Sequence, residues 1–98
     1  MSIGSLEDLR LCREKIDTID RQLLALLNER TAVVEEIGRI KQGLKLAIYE
    51  PKREDQVYAN VLDNNAGPLT PDAVRRIFER IIDEMRNVQR VKILEKDR

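Results

Sequence analysis

Ninety-eight residues are the length of one domain, and we read 1–98 as a single one. Eighteen Lys+Arg balance eighteen Asp+Glu, so no net field draws the chain toward nucleic acid or an anionic membrane, and any cation that matters must be clustered locally. Histidine is absent and Cys12 is the lone cysteine, which removes the commonest general base, an internal disulfide and any zinc cluster.

The opening MSIGSLEDLR holds no apolar stretch of the signal-peptide kind, and no run approaches the roughly 18 apolar residues of a membrane span. We therefore expect a cytoplasmic protein that binds no metal and partners neither nucleic acid nor membrane. The first element is a long helix over about 6–43. Ser5 is its N-cap, with Asp8 three residues on. Leu9, Cys12, Ile16, Ile19, Leu23, Leu26, Arg30, Val33, Ile37 and Ile40 follow a 3,4 spacing, a heptad seam whose sole charged member is Arg30. Such a helix spans roughly 55 Å, whereas a compact globule of this chain length is only about 35 Å across. Its apolar stripe overhangs any monomeric core, and a second copy is the simplest partner.

Periodicity fades around Gln42-Gly43-Leu44-Lys45. A short second helix over about 50–65 starts with Pro51 in its first turn and buries Val57, Val61 and Leu62, helped by Tyr58. Asn64-Asn65-Ala66-Gly67-Pro68 ends it, read as a glycine just past the helix followed by proline. Thr70-Pro71-Asp72 opens a medium third helix over about 70–92, with Val74, Ile77, Phe78, Ile81, Ile82, Met85 and Val88 on its apolar face. The charged tail from Lys92 to Arg98 is expected to fray. The fold class is all-α.

Several polar residues break these patterns. A guanidinium in an apolar seam is costly unless something compensates its charge, which singles out Arg30. Lys41 follows eleven residues later, close to three full turns, and shares a face with it. Gln89 lies on the apolar face of the third helix, one turn past Met85. Arg53 and Glu54 occupy the first turn of the second helix, where free N–H groups favour anions. Each has an ordinary reading: Arg30 with its stem packed and its head in water or on a partner glutamate, Lys41 and Arg53 solvated, Gln89 bridging helices. Together they describe a pocket for a small dianion carrying a hydroxyl. It has no evident nucleophile, so electrostatics and orientation would drive its chemistry.

The chain resembles the all-helical class of chorismate mutases along nearly its whole length. The resemblance runs through Arg13-Glu14-Lys15-Ile16-Asp17, Leu23-Leu24-Ala25-Leu26-Leu27-Asn28-Glu29-Arg30 and Val34-Glu35-Glu36-Ile37-Gly38-Arg39-Ile40-Lys41. It continues through Glu50-Pro51-Lys52-Arg53-Glu54 and Ile77-Phe78-Glu79-Arg80-Ile81-Ile82. It implies the Claisen rearrangement of chorismate to prephenate in phenylalanine and tyrosine biosynthesis, without a cofactor, in an intertwined helical homodimer. Carried over by position, Arg13 and Arg30 would bind the substrate carboxylates. Lys41 and Gln89 would donate to the ether oxygen, Glu54 with backbone near Glu50 would hold the ring hydroxyl, and Arg53 would support the carboxylate end. Val34, Ile37, Val57 and Ile82 would wall the site. Arg13 and Arg30 lie roughly 25 Å apart along one helix and point about 100° apart, so one chain cannot bring both to one small ligand. In an antiparallel pair of first helices, Arg13 of one chain approaches Arg30 of the other. Many members carry a small polar residue where this chain has Met85, and an aspartate where it has Glu50. Arg86 is an extra cation with no role in the pattern. Two other readings share these features: isochorismate pyruvate lyase, which uses the same fold and much of the same cationic pocket, and a non-catalytic helical dimerisation or regulatory module.

Overall fold

The computed structural model describes residues 4–96, with side chains through 92. The first three residues of the opening segment and residues 97–98 of the charged tail lie outside the described residues. Among the described residues there are three helices and no strand: α1 (Leu6–Gly43), α2 (Pro51–Asp63) and α3 (Pro71–Lys96). The chain divides into two compact units, Met1–Ala32 and Val33–Arg98, with the boundary inside α1. The first unit holds the amino-terminal part of α1. The second holds the last turns of α1 together with α2 and α3.

The helix starts follow from their first residues. The Ser5 hydroxyl accepts from the Asp8 N–H at 3.1 Å, and the Asp8 carboxylate accepts from the Ser5 N–H at 3.2 Å. This reciprocal box satisfies two donors that the first turn would otherwise leave open. The Thr70 hydroxyl likewise accepts from the Ala73 N–H at 3.1 Å, with Pro71 as the first residue of α3. Pro51 opens α2, but the Glu50 side chain before it makes no capping bond and is left for other work.

The first helix ends at Gly43, as expected, whereas the second ends differently. The turn that closes α1 runs on to Lys45, whose φ is +59°. The Leu46 N–H reaches the Lys41 carbonyl at 2.8 Å and the Lys45 N–H reaches the Gln42 carbonyl at 3.2 Å, the paired bonds of a Schellman ending. A lysine thus occupies a left-handed position that usually takes glycine. The second helix ends on Asn64, whose N–H and side-chain amide both return to the Asn60 carbonyl. Gly67, with φ +82°, belongs to the loop beyond and plays no part in ending the helix; its N–H meets the Asn65 side chain at 3.0 Å. The third helix also continues to Lys96 past the expected end near 92, since Lys92-Ile93-Leu94-Glu95-Lys96 contains no breaker.

Within the second unit, α2 packs on α3, and the Arg75 guanidinium lies 5.0 Å from the centre of the Tyr58 ring across that contact. Among the described residues, Val34, Val74, Ile82 and Met85 are the buried apolar ones, joined by two polar ones, Lys41 and Gln89. Among the described residues no helix is long and apolar enough to cross a membrane.

Relieving the left-handed lysine should stabilise the fold. Lys45→Gly is expected to raise unfolding free energy by roughly 0.5–1 kcal/mol, the left-handed penalty less the added chain entropy of glycine. Urea denaturation at fixed protein concentration checks this, and an unchanged midpoint would mean Lys45 does not hold that conformation.

Candidate active site

The buried residues of α1 are Val34, Gly38 and Lys41, spaced four and three apart and hence on one helix face. Gln89 of α3 lies across that face. Its Nε2 donates to the Val34 carbonyl at 3.2 Å, and a Cβ placed on Gly38 would meet the Gln89 Cγ at 3.4 Å. Glycine at 38 therefore leaves the flat bed on which the glutamine stem rests. An amide nitrogen carries two hydrogens, so this contact leaves Gln89 a second donor.

Lys41 stands one turn beyond Gly38 and is 9% exposed. Its ammonium donates to the Ile48 carbonyl at 3.0 Å and pairs with the Glu50 carboxylate at 2.7 Å. The loop after α1 and the cap position of α2 thus hold the charge that α1 buries. Two of the three ammonium donors are engaged, leaving one for a ligand. Glu50 itself is half exposed, so its carboxylate can move to water at little cost when an anion approaches Lys41.

Glu54, one turn into α2, faces α3. Its carboxylate lies 3.3 Å from the Arg86 Nε, and Arg86 also meets Asp83 at 2.6 Å through Nη2. Arg86 was the cation without a role in sequence. Its signal was its register, four residues after Ile82 at the edge of the apolar face. Met85 is buried beside it.

Arg53 is exposed and donates to Gln56 on its own helix at 3.4 Å. Of the expected walls, Val34 and Ile82 are buried, Val57 is half-buried, and Ile37 is exposed. Arg13 and Arg30 belong to the first unit, Arg13 exposed and Arg30 half-buried. The seam positions Leu9, Ile16, Ile19, Leu23, Leu26, Val33, Ile37 and Ile40 are 39–61% exposed in the single chain. Among the described residues no group of three or more Cys, Asp or Glu is placed to hold a metal ion.

An ammonium on a face of α1, an amide of α3 packed across that face and a carboxylate on α2 form an arrangement for binding and polarising a small oxygen-rich anion. Residues 12–90 match the family model described as chorismate mutase type II, and the chain belongs to that family. It is 42% identical over 78 residues to the bifunctional chorismate mutase/prephenate dehydratase of Neisseria gonorrhoeae, covering 80% of this chain and 21% of that one. The chain thus spans about a fifth of the length of the bifunctional relatives it matches. It is also similar to the chorismate mutase of Methanocaldococcus jannaschii, 29% identical over 93 residues and covering 87% of each. Among solved structures, it superposes on chorismate mutase (form II) from Thermus thermophilus with a TM-score of 0.83 and 32% identity, covering 85% of this chain and 94% of that one.

Met85 is structural in this chain. Met85→Ala should lower unfolding free energy by about 2–4 kcal/mol through lost packing. Chemical denaturation measures it, and a loss below about 1 kcal/mol, the range of surface changes, would show that the side chain is not packed as described.

Proposed function

We propose that this chain catalyses the rearrangement of chorismate to prephenate, in the route to phenylalanine and tyrosine, as a homodimer with shared sites and no cofactor. The observation that carries this reading is the buried Lys41 ammonium with one uncommitted donor, on the same face of α1 that Gln89 packs against. The reaction is intramolecular: the ether carbon–oxygen bond breaks as a carbon–carbon bond forms, and no proton needs to move. What the protein must supply is a compact substrate shape and donors at the ether oxygen, where negative charge grows. Lys41 and Gln89 are the donors in this reading. Their bonds strengthen as the oxygen gains charge, so they favour the transition state over the substrate. Glu54, with backbone near Glu50, holds the ring hydroxyl, and Arg53 supports the carboxylate end. Arg30 binds one carboxylate and Arg13 of a second copy binds the other.

The exposed seam of α1 supports the dimer. A row of half-exposed leucines, isoleucines and valines at heptad spacing is a face that water disfavours and a second α1 would cover. With Cys12 exposed and unpaired, this reading also places the chain in the reducing cytoplasm.

Loss of chorismate absorbance, with prephenate identified as product, tests the activity. Lys41→Ala should remain folded and lose about 100- to 1000-fold in kcat. Near-normal turnover by that variant would overturn the mechanism. Pyruvate release from isochorismate, with no turnover of chorismate, would instead make the protein a lyase, and failure to bind any bicyclic dianion would leave a helical interaction module.

The shared site has its own test. Arg13→Ala and Arg30→Ala should each be inactive, while mixing them after joint unfolding and refolding should restore part of the activity through hybrid dimers. Stable hybrids with no activity would rule out a site built from two chains.

A further inference from the structure

Arg86 is held in an unusual way for an arginine between two helices. Asp83, three residues earlier on α3, fixes one end of the guanidinium at 2.6 Å. The Tyr49 ring covers it, with 5.6 Å between the guanidinium carbon and the ring centre. On the Nε side stands Glu54. There the Nε is buried and lies 3.3 Å from the Glu54 carboxylate, yet has no hydrogen-bond partner. An arginine serving only to join α2 to α3 would be expected to use its fork, with two parallel bonds to the carboxylate. A buried donor left without a bond costs stability, and that cost calls for another reason to keep the charge there.

We propose that Arg86 is a positioning residue for Glu54: it steadies the carboxylate by charge alone and leaves its lone pairs open to the ring hydroxyl of the substrate. This rests on the proposed function, in which Glu54 receives that hydroxyl. An ionised carboxylate is acceptor-only and has room for about four bonds. A forked arginine would occupy the oxygens that the substrate needs, whereas a cation at ion-pair distance attracts the carboxylate without occupying them. Asp83 and Tyr49 keep Arg86 from closing that gap. The arrangement assigns Arg86 a share in recognition of the hydroxyl, although it need not touch the ligand.

The test uses two bicyclic dianionic transition-state mimics, one with the ring hydroxyl and one with hydrogen in its place, each titrated against the full chain. Arg86→Met should weaken binding of the hydroxylated mimic by about tenfold and leave the other nearly unchanged, the size expected for losing one hydrogen bond to a charged group. Chorismate kinetics should show the same loss as a raised KM with a smaller change in kcat. Arg86→Lys, which keeps the charge, should restore most of the affinity. Glu54→Gln should also lose the discrimination, and adding Arg86→Met to it should cost little more. Equal weakening of both mimics by Arg86→Met, or full additivity with Glu54→Gln, would overturn the role of Arg86 and leave the proposed function standing. A wild-type chain that binds neither mimic would overturn both. Should Arg86→Met unfold, as circular dichroism would show, Arg86→Lys and Glu54→Gln still decide: a loss of discrimination by Glu54→Gln that the lysine variant does not share supports the proposal, and equal loss in both overturns it.

Discussion

A buried ammonium must be compensated, and much of the second unit is arranged around the one on Lys41. The carbonyl of Ile48 and the carboxylate of Glu50 come from the segment that joins α1 to α2. That segment can return to Lys41 because α1 stops sharply at the left-handed Lys45. The same turn takes its closing bond from the Lys41 carbonyl, so one residue supplies both the buried charge and an anchor for the loop that compensates it. Glu50 is free to serve because Pro51 starts α2 without needing a side-chain cap.

The carboxylates in this unit hold their cations in different ways. Glu50 bonds Lys41 directly while remaining half in water, so the pair can open. Glu54 stands against Arg86 at ion-pair distance without a hydrogen bond. Lys92 and Glu35 form a third link, between α3 and α1, at 3.2 Å. All three are contacts between different segments of the chain. Only four apolar residues are buried among the described residues, which leaves polar contacts a larger part in placing the helices than in a protein with a broad core.

The helices were legible because their signals are local. Ser5 with Asp8, Pro51, and Thr70 with Pro71 each act through backbone groups within one turn, and the heptad spacing of α1 is carried by the chain itself. Lys41 and Gln89 stood out for the same reason, as polar residues on faces otherwise apolar. The family resemblance came from ordered motifs along the whole length, and the match over residues 12–90 agrees with it. Helix ends were less legible. Gly67 was read as the residue that ends α2, but the helix closes on Asn64 and Gly67 belongs to the loop beyond.

The amino-acid sequence determined three helices, the caps that open the first and third, and the polar residues that interrupt apolar faces, through local spacings that need no knowledge of the rest of the chain, while the family showed in ordered motifs along its length. Tertiary structure alone decided which of those residues meet. That Glu50 holds Lys41, that Gln89 lies on Gly38, and that Arg86 faces Glu54 depend on how the end of α1, α2 and α3 come together. Charges on separate helices carry no mark of their partners, since electrostatic attraction acts through space and helical periodicity acts only along the chain.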